Sequence, residues 1–173
     1  MVQQSPYYLW LKPDRDGYRQ FAVLINSLSK RFGTPRFEPH ITLLSRLLGT
    51  EAQLTPLILQ LTARRTPFSV RCAGIEFTDD YFRCLFVSVK SNSALSSLHQ
   101  DAKNVIPNQD DRAFQPHVSL MYGDISVAEK LAIAAELGEW DSVEFRIAGV
   151  SLYSALGGPE EWRQVSEFMF GAD

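Results

Sequence analysis

The sequence contains little cysteine and no long apolar segment. Its 173 residues include only two cysteines, Cys72 and Cys84, and no C-x-x-C motif, which excludes a disulfide-rich scaffold. We expect two free thiols, with a cross-strand disulfide as the alternative. No apolar run approaches the roughly 20 residues of a membrane helix, and residues 1–6 lack the basic start and apolar stretch of a signal peptide. We therefore expect a cytoplasmic protein with no membrane partner.

The chain also lacks an excess of positive charge. It has 17 lysines and arginines against 20 aspartates and glutamates, which gives a formal net charge of −3 and a pI near 5.6. Proteins that bind long nucleic acids usually present a basic surface, so we expect a small ligand and no long nucleic acid. No Pro-, Gly- or Ser-rich linker divides the chain. We expect a single domain over residues 1–173, acting as a monomer.

One short segment occurs twice. Residues 37–44 read FEPHITLL, and residues 114–121 read FQPHVSLM. The chain has three histidines, and two of them, His40 and His117, hold the same place in the two copies. Each is followed two residues later by a hydroxyl side chain, Thr42 or Ser119. The doubled segment therefore predicts two matched imidazole–hydroxyl pairs.

The sequence around the two copies predicts the same order of elements in each half. The first half reads as a strand at 7–11, a helix that stops at Gly33, the first copy, a helix opened by a capping box at 50–53, and a strand at 68–77. The second half reads as a strand at 83–90, a helix that stops before Pro107, the second copy, a helix opened by a capping box at 126–129, and a strand through Val150 and Leu152. A last strand is predicted near residues 162–170. We predict an α+β fold of two β-α-β-α-β lobes, related by a pseudo-two-fold axis, whose antiparallel sheets face a central cleft.

The alternation of side chains along a strand separates each copy into an apolar face and a polar face. In the first copy, Ile41 and Leu43 point one way, while His40 and Thr42 point the other way. The proline before each histidine favours a strand start or a sheet edge, because proline has no N–H to donate. We therefore expect both imidazoles at accessible positions that line the cleft.

A pair of histidines suits acid–base chemistry on a phosphate. The ordinary histidine pKa is near 6.5, so at neutral pH one imidazole of a pair can accept a proton from water while the other donates one to a leaving oxygen. The hydroxyls of Thr42 and Ser119 can donate to phosphate oxygens as charge develops. The residues themselves predict in-line attack on a phosphodiester without a metal.

Other interpretations of the motif are weaker. Two histidines without a carboxylate or cysteine at ligand spacing fall short of the three or four ligands that zinc prefers. A covalent role for Thr42 or Ser119 lacks an evident aspartate to orient the histidine. The third histidine, His99, lies on a predicted helix, where we expect a surface residue.

Pro39-His40-Ile41-Thr42 and Pro116-His117-Val118-Ser119 resemble the paired H-x-[ST] motifs of the two-histidine (2H) phosphoesterases. Within that superfamily the chain resembles the cyclic phosphodiesterases of the plant and yeast type. The segments that carry this closer resemblance are Leu9–Pro13, Phe82–Phe86, Leu120–Asp124 and the terminal Glu161-Trp162. The plant members carry additional cysteines in disulfides, which this chain lacks.

The resemblance implies hydrolysis of 2′,3′-cyclic nucleotides to 2′-phosphates, and of ADP-ribose 1″,2″-cyclic phosphate, a product of tRNA splicing, to ADP-ribose 1″-phosphate. It implies no metal or other cofactor. It also implies that His117 is the base and His40 the acid, with Thr42 and Ser119 on the phosphate.

The resemblance further implies substrate contacts. Tyr122 is expected to contact the substrate, provided that a strand end or a bulge turns it toward His117. Trp10 and Phe82 are candidates for stacking on a base, with plain core aromatics as the alternative. An enzyme acting on RNA ends or 2′–5′ bonds, and a non-catalytic nucleotide binder, remain the competing functions.

Overall fold

The computed structural model describes residues 6–171. The strands are β1 (Tyr7–Pro13), β2 (Ile41–Leu47), β3 (Phe68–Phe77), β4 (Leu85–Lys90), β5 (His117–Met121), β6 (Glu144–Ser154) and β7 (Arg163–Met169). The helices are α1 (Arg15–Phe32), α2 (Glu51–Thr62), α3 (Ser93–Val105) and α4 (Val127–Leu137), with 3₁₀ turns at Tyr81–Arg83 and Pro159–Glu161. The predicted α+β class and the predicted order of elements in both halves are confirmed.

The helix boundaries follow from local hydrogen bonding. Helix α1 begins after Asp14, whose side chain accepts a hydrogen bond from the Gly17 N–H, and it ends at Gly33 in the left-handed conformation that glycine tolerates best. Helix α4 begins with a complete capping box between Ser126 and Glu129, as the sequence predicts. These signals are local, which is why they could be identified without the structure.

The strands form one antiparallel sheet in the order β2-β1-β6-β3-β4-β5, and β7 pairs with β6. The last strand of each half crosses to the other lobe, because β3 lies beside β4 and β6 lies beside β1. The two sheets expected from the sequence are joined, since β6 is long enough for Glu144–Ile147 to pair with β3 while its remainder pairs with β1. This strand exchange ties the two lobes together.

The two histidine segments lie at the two ends of this strand order. Strand β2 begins directly after His40, and β5 begins at His117. The apolar faces of both segments are buried, with Ile41, Val118 and Leu120 fully inaccessible. Strands β2 and β5 also contact each other, so the sheet is curled and brings the segments together. The expected placement at strand starts and sheet edges is confirmed, but the expected accessibility is wrong for His40, which is buried although it lines the cavity.

The two cysteines are not paired with each other. Cys72 and Cys84 are buried free thiols. Cys72 pairs across the sheet with Val89 rather than with Cys84, so the alternative of a cross-strand disulfide is wrong. No helix among residues 6–171 is long and apolar enough to cross a membrane. The N-terminal residues 1–5, on which the signal-peptide expectation mainly rests, lie outside the described part of the chain.

One strand contact yields a prediction about stability. A Cβ at Gly149 of β6 would overlap with the backbone oxygen of Phe168 in β7 and lie 3.1 Å from the Met169 Cα. We expect Gly149→Ala to lower the free energy of unfolding by about 1–3 kcal/mol, because backbone has to move. Gly158→Ala is the matched control, since no atom lies within 4 Å of its added Cβ. Equal denaturant midpoints for the two variants would contradict the close β6–β7 packing.

Candidate active site

The two histidine segments open into the same cavity, which has a volume of about 600 Å³. His40, Thr42, His117 and Ser119 all line it, although they come from opposite ends of the strand order. A cavity of this size is suited to a nucleotide-sized ligand. The structure therefore brings together the four polar residues that the sequence analysis singled out.

Both imidazoles are oriented by the same local hydrogen bond. The Nδ1 atom of His40 lies 2.6 Å from the carbonyl oxygen of Glu38, and the Nδ1 atom of His117 lies 2.7 Å from that of Gln115. A carbonyl oxygen only accepts, so each Nδ1 carries the proton and donates. The Nε2 atom of each neutral ring is then an acceptor, ready to exchange a proton with a ligand.

The two imidazoles differ in burial and therefore in proton affinity. His40 is only 7% exposed, and burial lowers its pKa from 6.5 to about 3, with a further lowering from the His117 and Lys12 charges. His117 is half-buried, and burial lowers its pKa too, helped by the nearby guanidinium groups of Arg83 and Arg112. In the free protein, His40 is thus the histidine that remains neutral at lower pH.

The aromatic residue on the strand next to each histidine also differs between the two copies. Trp10 of β1 pairs with Thr42, and Phe86 of β4 pairs with Ser119, so the two aromatics occupy equivalent places in the repeat. Trp10 stacks flat on His40, with ring centroids 3.6 Å apart and an interplanar angle of 7°. Phe86 meets His117 edge-on, at 5.0 Å and 60°. The repeat is therefore asymmetric at this aromatic position.

Trp10 has no open face for a nucleobase. One face of its indole covers His40, and the other stacks on Tyr153 with centroids 3.8 Å apart. The side chain is 2% exposed, and its buried Nε1 has no hydrogen-bond partner among the described residues. The expectation that Trp10 stacks on a base is thus revised, because its faces are occupied by protein rings. Its contacts suit a residue that orients His40.

Tyr122 reaches the cavity because strand β5 ends at Met121, directly before it. The ring stacks on Phe37 of the first copy, with centroids 3.8 Å apart, and it lies near Ser119, whose hydroxyl donates to the Phe82 carbonyl oxygen at 3.3 Å. Burial raises the pKa of Tyr122, so the phenol remains protonated. The strand end that the sequence analysis required is present.

Phe82 is the exposed aromatic of the cavity. It lies in the 3₁₀ turn between β3 and β4 and is 49% exposed. Its ring centroid lies 5.9 Å from that of Trp162, which also lines the cavity. The predicted strand at 83–90 begins only at Leu85, because the Asp80 side chain accepts from the Phe82 N–H and closes the turn instead. Phe82 thereby faces the cavity from a loop.

Several cavity residues were not found from the sequence. His99 is half-buried and stacks on Phe114 at 4.0 Å, so the expectation of a surface histidine is wrong. Trp162 and Arg112 lie on loops, where no periodic pattern marks a side chain as facing a site. Among residues 6–171, no three His, Cys, Asp or Glu side chains are placed to hold a metal ion.

Comparison with known proteins connects this geometry to a family. A family model described as cyclic phosphodiesterase-like protein matches residues 6–144. A cyclic phosphodiesterase of Arabidopsis thaliana is 22% identical over 129 residues, covering 75% of this chain and 71% of the relative.

Solved structures share the fold at lower identity. TT0787 of Thermus thermophilus has a TM-score of 0.64 at 15% identity, covering 96% of this chain and 98% of that one. Escherichia coli LigT, crystallised with 3′-AMP, has a TM-score of 0.60 at 12% identity, covering 98% and 100%. These likenesses show a common α+β architecture.

The burial of His40 predicts an unusual titration. In the free protein we expect its ring NMR signals to remain those of the neutral Nδ1–H form down to about pH 4, while His117 titrates at higher pH. The folded pKa of His40 is about 3, below the unfolded value of 6.5. As the pH falls from 6.5 toward 3, the unfolded chain therefore binds a proton that the folded protein does not, and the free energy of unfolding decreases by up to about 1.4 kcal/mol per pH unit. A His40 midpoint near 6.5 would contradict this environment.

Proposed function

Because the chain belongs to the cyclic phosphodiesterase-like protein family, and is accordingly a phosphodiesterase, we propose that it hydrolyses cyclic phosphodiesters by paired-histidine acid–base catalysis. The observation that carries the proposal is the meeting of His40 and His117 in one cavity, each with its Nδ1 proton committed to a backbone carbonyl. In this proposal the chain acts as one unit to which each lobe contributes one motif.

The reaction needs a base, an acid and donors for the phosphate oxygens. His117 Nε2 accepts a proton from water as the water oxygen attacks phosphorus. The bond between phosphorus and one ester oxygen of the ring breaks, and protonated His40 gives that oxygen its proton. The hydroxyls of Thr42 and Ser119 donate to the non-bridging oxygens, where charge builds up. Each proton transfer of this kind typically contributes about 10²–10⁴ in rate.

The acid role of His40 requires that the substrate restore its proton affinity. A phosphate negative charge about 4 Å from the imidazolium is worth about 4 kcal/mol at an effective dielectric constant of about 20. Such an interaction raises the proton affinity about a thousandfold, since 1.36 kcal/mol corresponds to a factor of ten. Burial therefore keeps His40 neutral in the free protein, and the negative charge of the bound phosphate raises its pKa so that it becomes protonated.

The proposed substrates are small nucleotides. They are 2′,3′-cyclic nucleotides, converted to 2′-phosphates, and ADP-ribose 1″,2″-cyclic phosphate, converted to ADP-ribose 1″-phosphate as in tRNA splicing. The name of the Arabidopsis relative and the nucleotide-sized cavity support this choice. Phe82 and Tyr122 are the proposed substrate contacts. We propose a cytoplasmic monomer that needs no metal and binds neither long nucleic acid nor membranes.

A substrate panel tests the function directly. We expect the purified protein to hydrolyse 2′,3′-cyclic nucleotides and ADP-ribose 1″,2″-cyclic phosphate, with the 2′-phosphate as the nucleotide product. Activity is expected to survive EDTA. Products are identified by chromatography against authentic 2′- and 3′-phosphates. Reaction confined to 2′–5′ oligonucleotides or RNA 3′ ends would instead establish the competing RNA-directed function.

Removal of either motif histidine tests the pairing. We expect His40→Ala and His117→Ala each to lower kcat/KM by at least about a hundredfold with the fold retained, because each removes one proton transfer. His99→Ala is the matched histidine control, and we expect it to cost no more than about tenfold. Thermal unfolding checks the fold. Near-full activity in either motif variant would rule out the two-histidine mechanism.

The order of acid and base is tested by the leaving group. A nucleoside 4-nitrophenyl phosphodiester releases nitrophenolate, which leaves without needing a proton from the enzyme. We expect His40→Ala to lose much less activity on this ester than on the cyclic nucleotide, whereas His117→Ala loses activity on both. The opposite pattern would show that His40 is the base and His117 the acid.

A further inference from the structure

Two arginines stand beside only one of the two equivalent histidines. Arg83 and Arg112 both line the cavity and lie close enough to His117 to lower its pKa, and neither is among the charges that act on His40. By the equivalence that matches Phe86 with Trp10, Arg83 corresponds to Tyr7, and by the alignment of the two histidine segments Arg112 corresponds to Pro35, so neither arginine has a cationic counterpart in the first repeat. The positive charge of the cavity is thus a feature of one lobe, added outside the repeat.

Arg83 is a cation without an anionic partner. Its Nη1 donates to the neutral Gln115 side chain at 3.1 Å, and its guanidinium lies over the Phe86 ring at 4.9 Å. Its Nε is buried and has no hydrogen-bond partner among residues 6–171. Within the described chain no carboxylate forms an ion pair with Arg83. An unsatisfied, partly buried guanidinium at a cavity wall is suited to an anion.

Arg112 is held in place by the other lobe. Its Nη2 donates to the Ser45 hydroxyl of β2 at 2.7 Å, and its Nε pairs with Asp110 at 3.2 Å. Asp110 in turn accepts from the Ser45 N–H at 2.9 Å, which fixes the carboxylate. The side chain of Arg112 nevertheless remains 64% exposed. Its guanidinium is therefore oriented in advance and still open to a ligand.

The carboxylates on this side of the cavity are each held by a hydrogen bond or an ion pair. Asp110 is committed to Arg112 and Ser45, and Asp80 caps the 3₁₀ turn through the Phe82 N–H. Glu76, which also acts on His117, accepts a hydrogen bond from Ser88 at 2.6 Å. Of the two cavity arginines, Arg112 pairs with Asp110, whereas Arg83 has no ion-pair partner among residues 6–171.

We propose that Arg83 and Arg112 form a subsite for a second phosphate group, so that the preferred substrates are cyclic phosphates that carry another phosphate elsewhere on the nucleotide. A cyclic phosphodiester has a single negative charge, and in the proposed mechanism the two histidines and the two hydroxyls already contact that phosphate. Two further guanidinium groups on one side match an additional anion. The inference rests on the proposed function, and it assigns the specificity of the same cavity.

A series of substrates that differ only in phosphate content tests the subsite. The substrates are adenosine 2′,3′-cyclic phosphates with a 5′-hydroxyl, a 5′-phosphate or a 5′-diphosphate. We expect the wild-type kcat/KM to be about tenfold to a hundredfold higher for at least one 5′-phosphorylated form, in line with a charge-assisted hydrogen bond. The preference should shrink as salt is added.

Variants identify the residues responsible. We expect Arg83→Gln and Arg112→Gln each to bring the ratio between the 5′-phosphorylated and 5′-hydroxyl substrates toward one. Arg64→Gln, an exposed arginine that does not line the cavity, should keep the wild-type ratio. The two arginines lie on separate segments. If thermal unfolding shows a folding defect in one variant, the other variant still tests the subsite.

Three results would overturn the subsite. One is equal wild-type kcat/KM for all three substrates, and another is a preference that persists in both arginine variants. The third is a uniform loss on all substrates with an unchanged ratio, which would place the arginines on the reacting phosphate. Absence of hydrolysis with every substrate is a distinct outcome, because it overturns the proposed function and the subsite with it.

Discussion

The candidate site depends on one short hydrogen bond that the chain makes twice. In each copy the histidine Nδ1–H donates to the carbonyl two residues earlier, at 2.6 Å for His40 and 2.7 Å for His117. The intervening proline holds the preceding residue extended and has no N–H of its own to donate. The bond fixes the tautomer of each ring without any other side chain. The curled sheet then only has to bring the two segments together, which it does by placing them at opposite ends of one strand order.

Similar motifs in dissimilar surroundings give the two imidazoles different properties. His40 lies under the flat face of Trp10, while His117 meets only the edge of Phe86 and lies near two arginines. Burial disfavours the charged ring more strongly at His40, which is buried, than at His117, which is only half-buried. A duplicated fold alone would make the histidines equivalent, so their separate roles have to come from residues outside the motif. The aromatics of β1 and β4, Trp10 and Phe86, contribute to this difference.

Local patterns explain how much of the fold could be predicted. Alternating apolar residues, capping boxes and Gly33 act within a few positions, and the element order follows from them. The crossing of β3 and β6 between lobes could not be predicted, because strand pairing depends on contacts distant in sequence. The same limit applies to the site. His40 and His117 carry a repeated signature, whereas His99, Arg112 and Trp162 enter the cavity through tertiary placement alone. The closed faces of Trp10 likewise depend on Tyr153, which is 143 residues away in the chain.

In the proposed mechanism one of the two histidines is the general acid and the other is the general base. Its most direct test is the dependence of kcat/KM on pH for the wild type and for the two single histidine variants. If one histidine is the acid and the other the base, the wild-type profile is bell-shaped and reports the coupled pair. We then expect His40→Ala and His117→Ala each to lose one limb of the profile, and the two lost limbs to be opposite. A flat wild-type profile from about pH 5 to 8, or loss of the same limb in both variants, would contradict it.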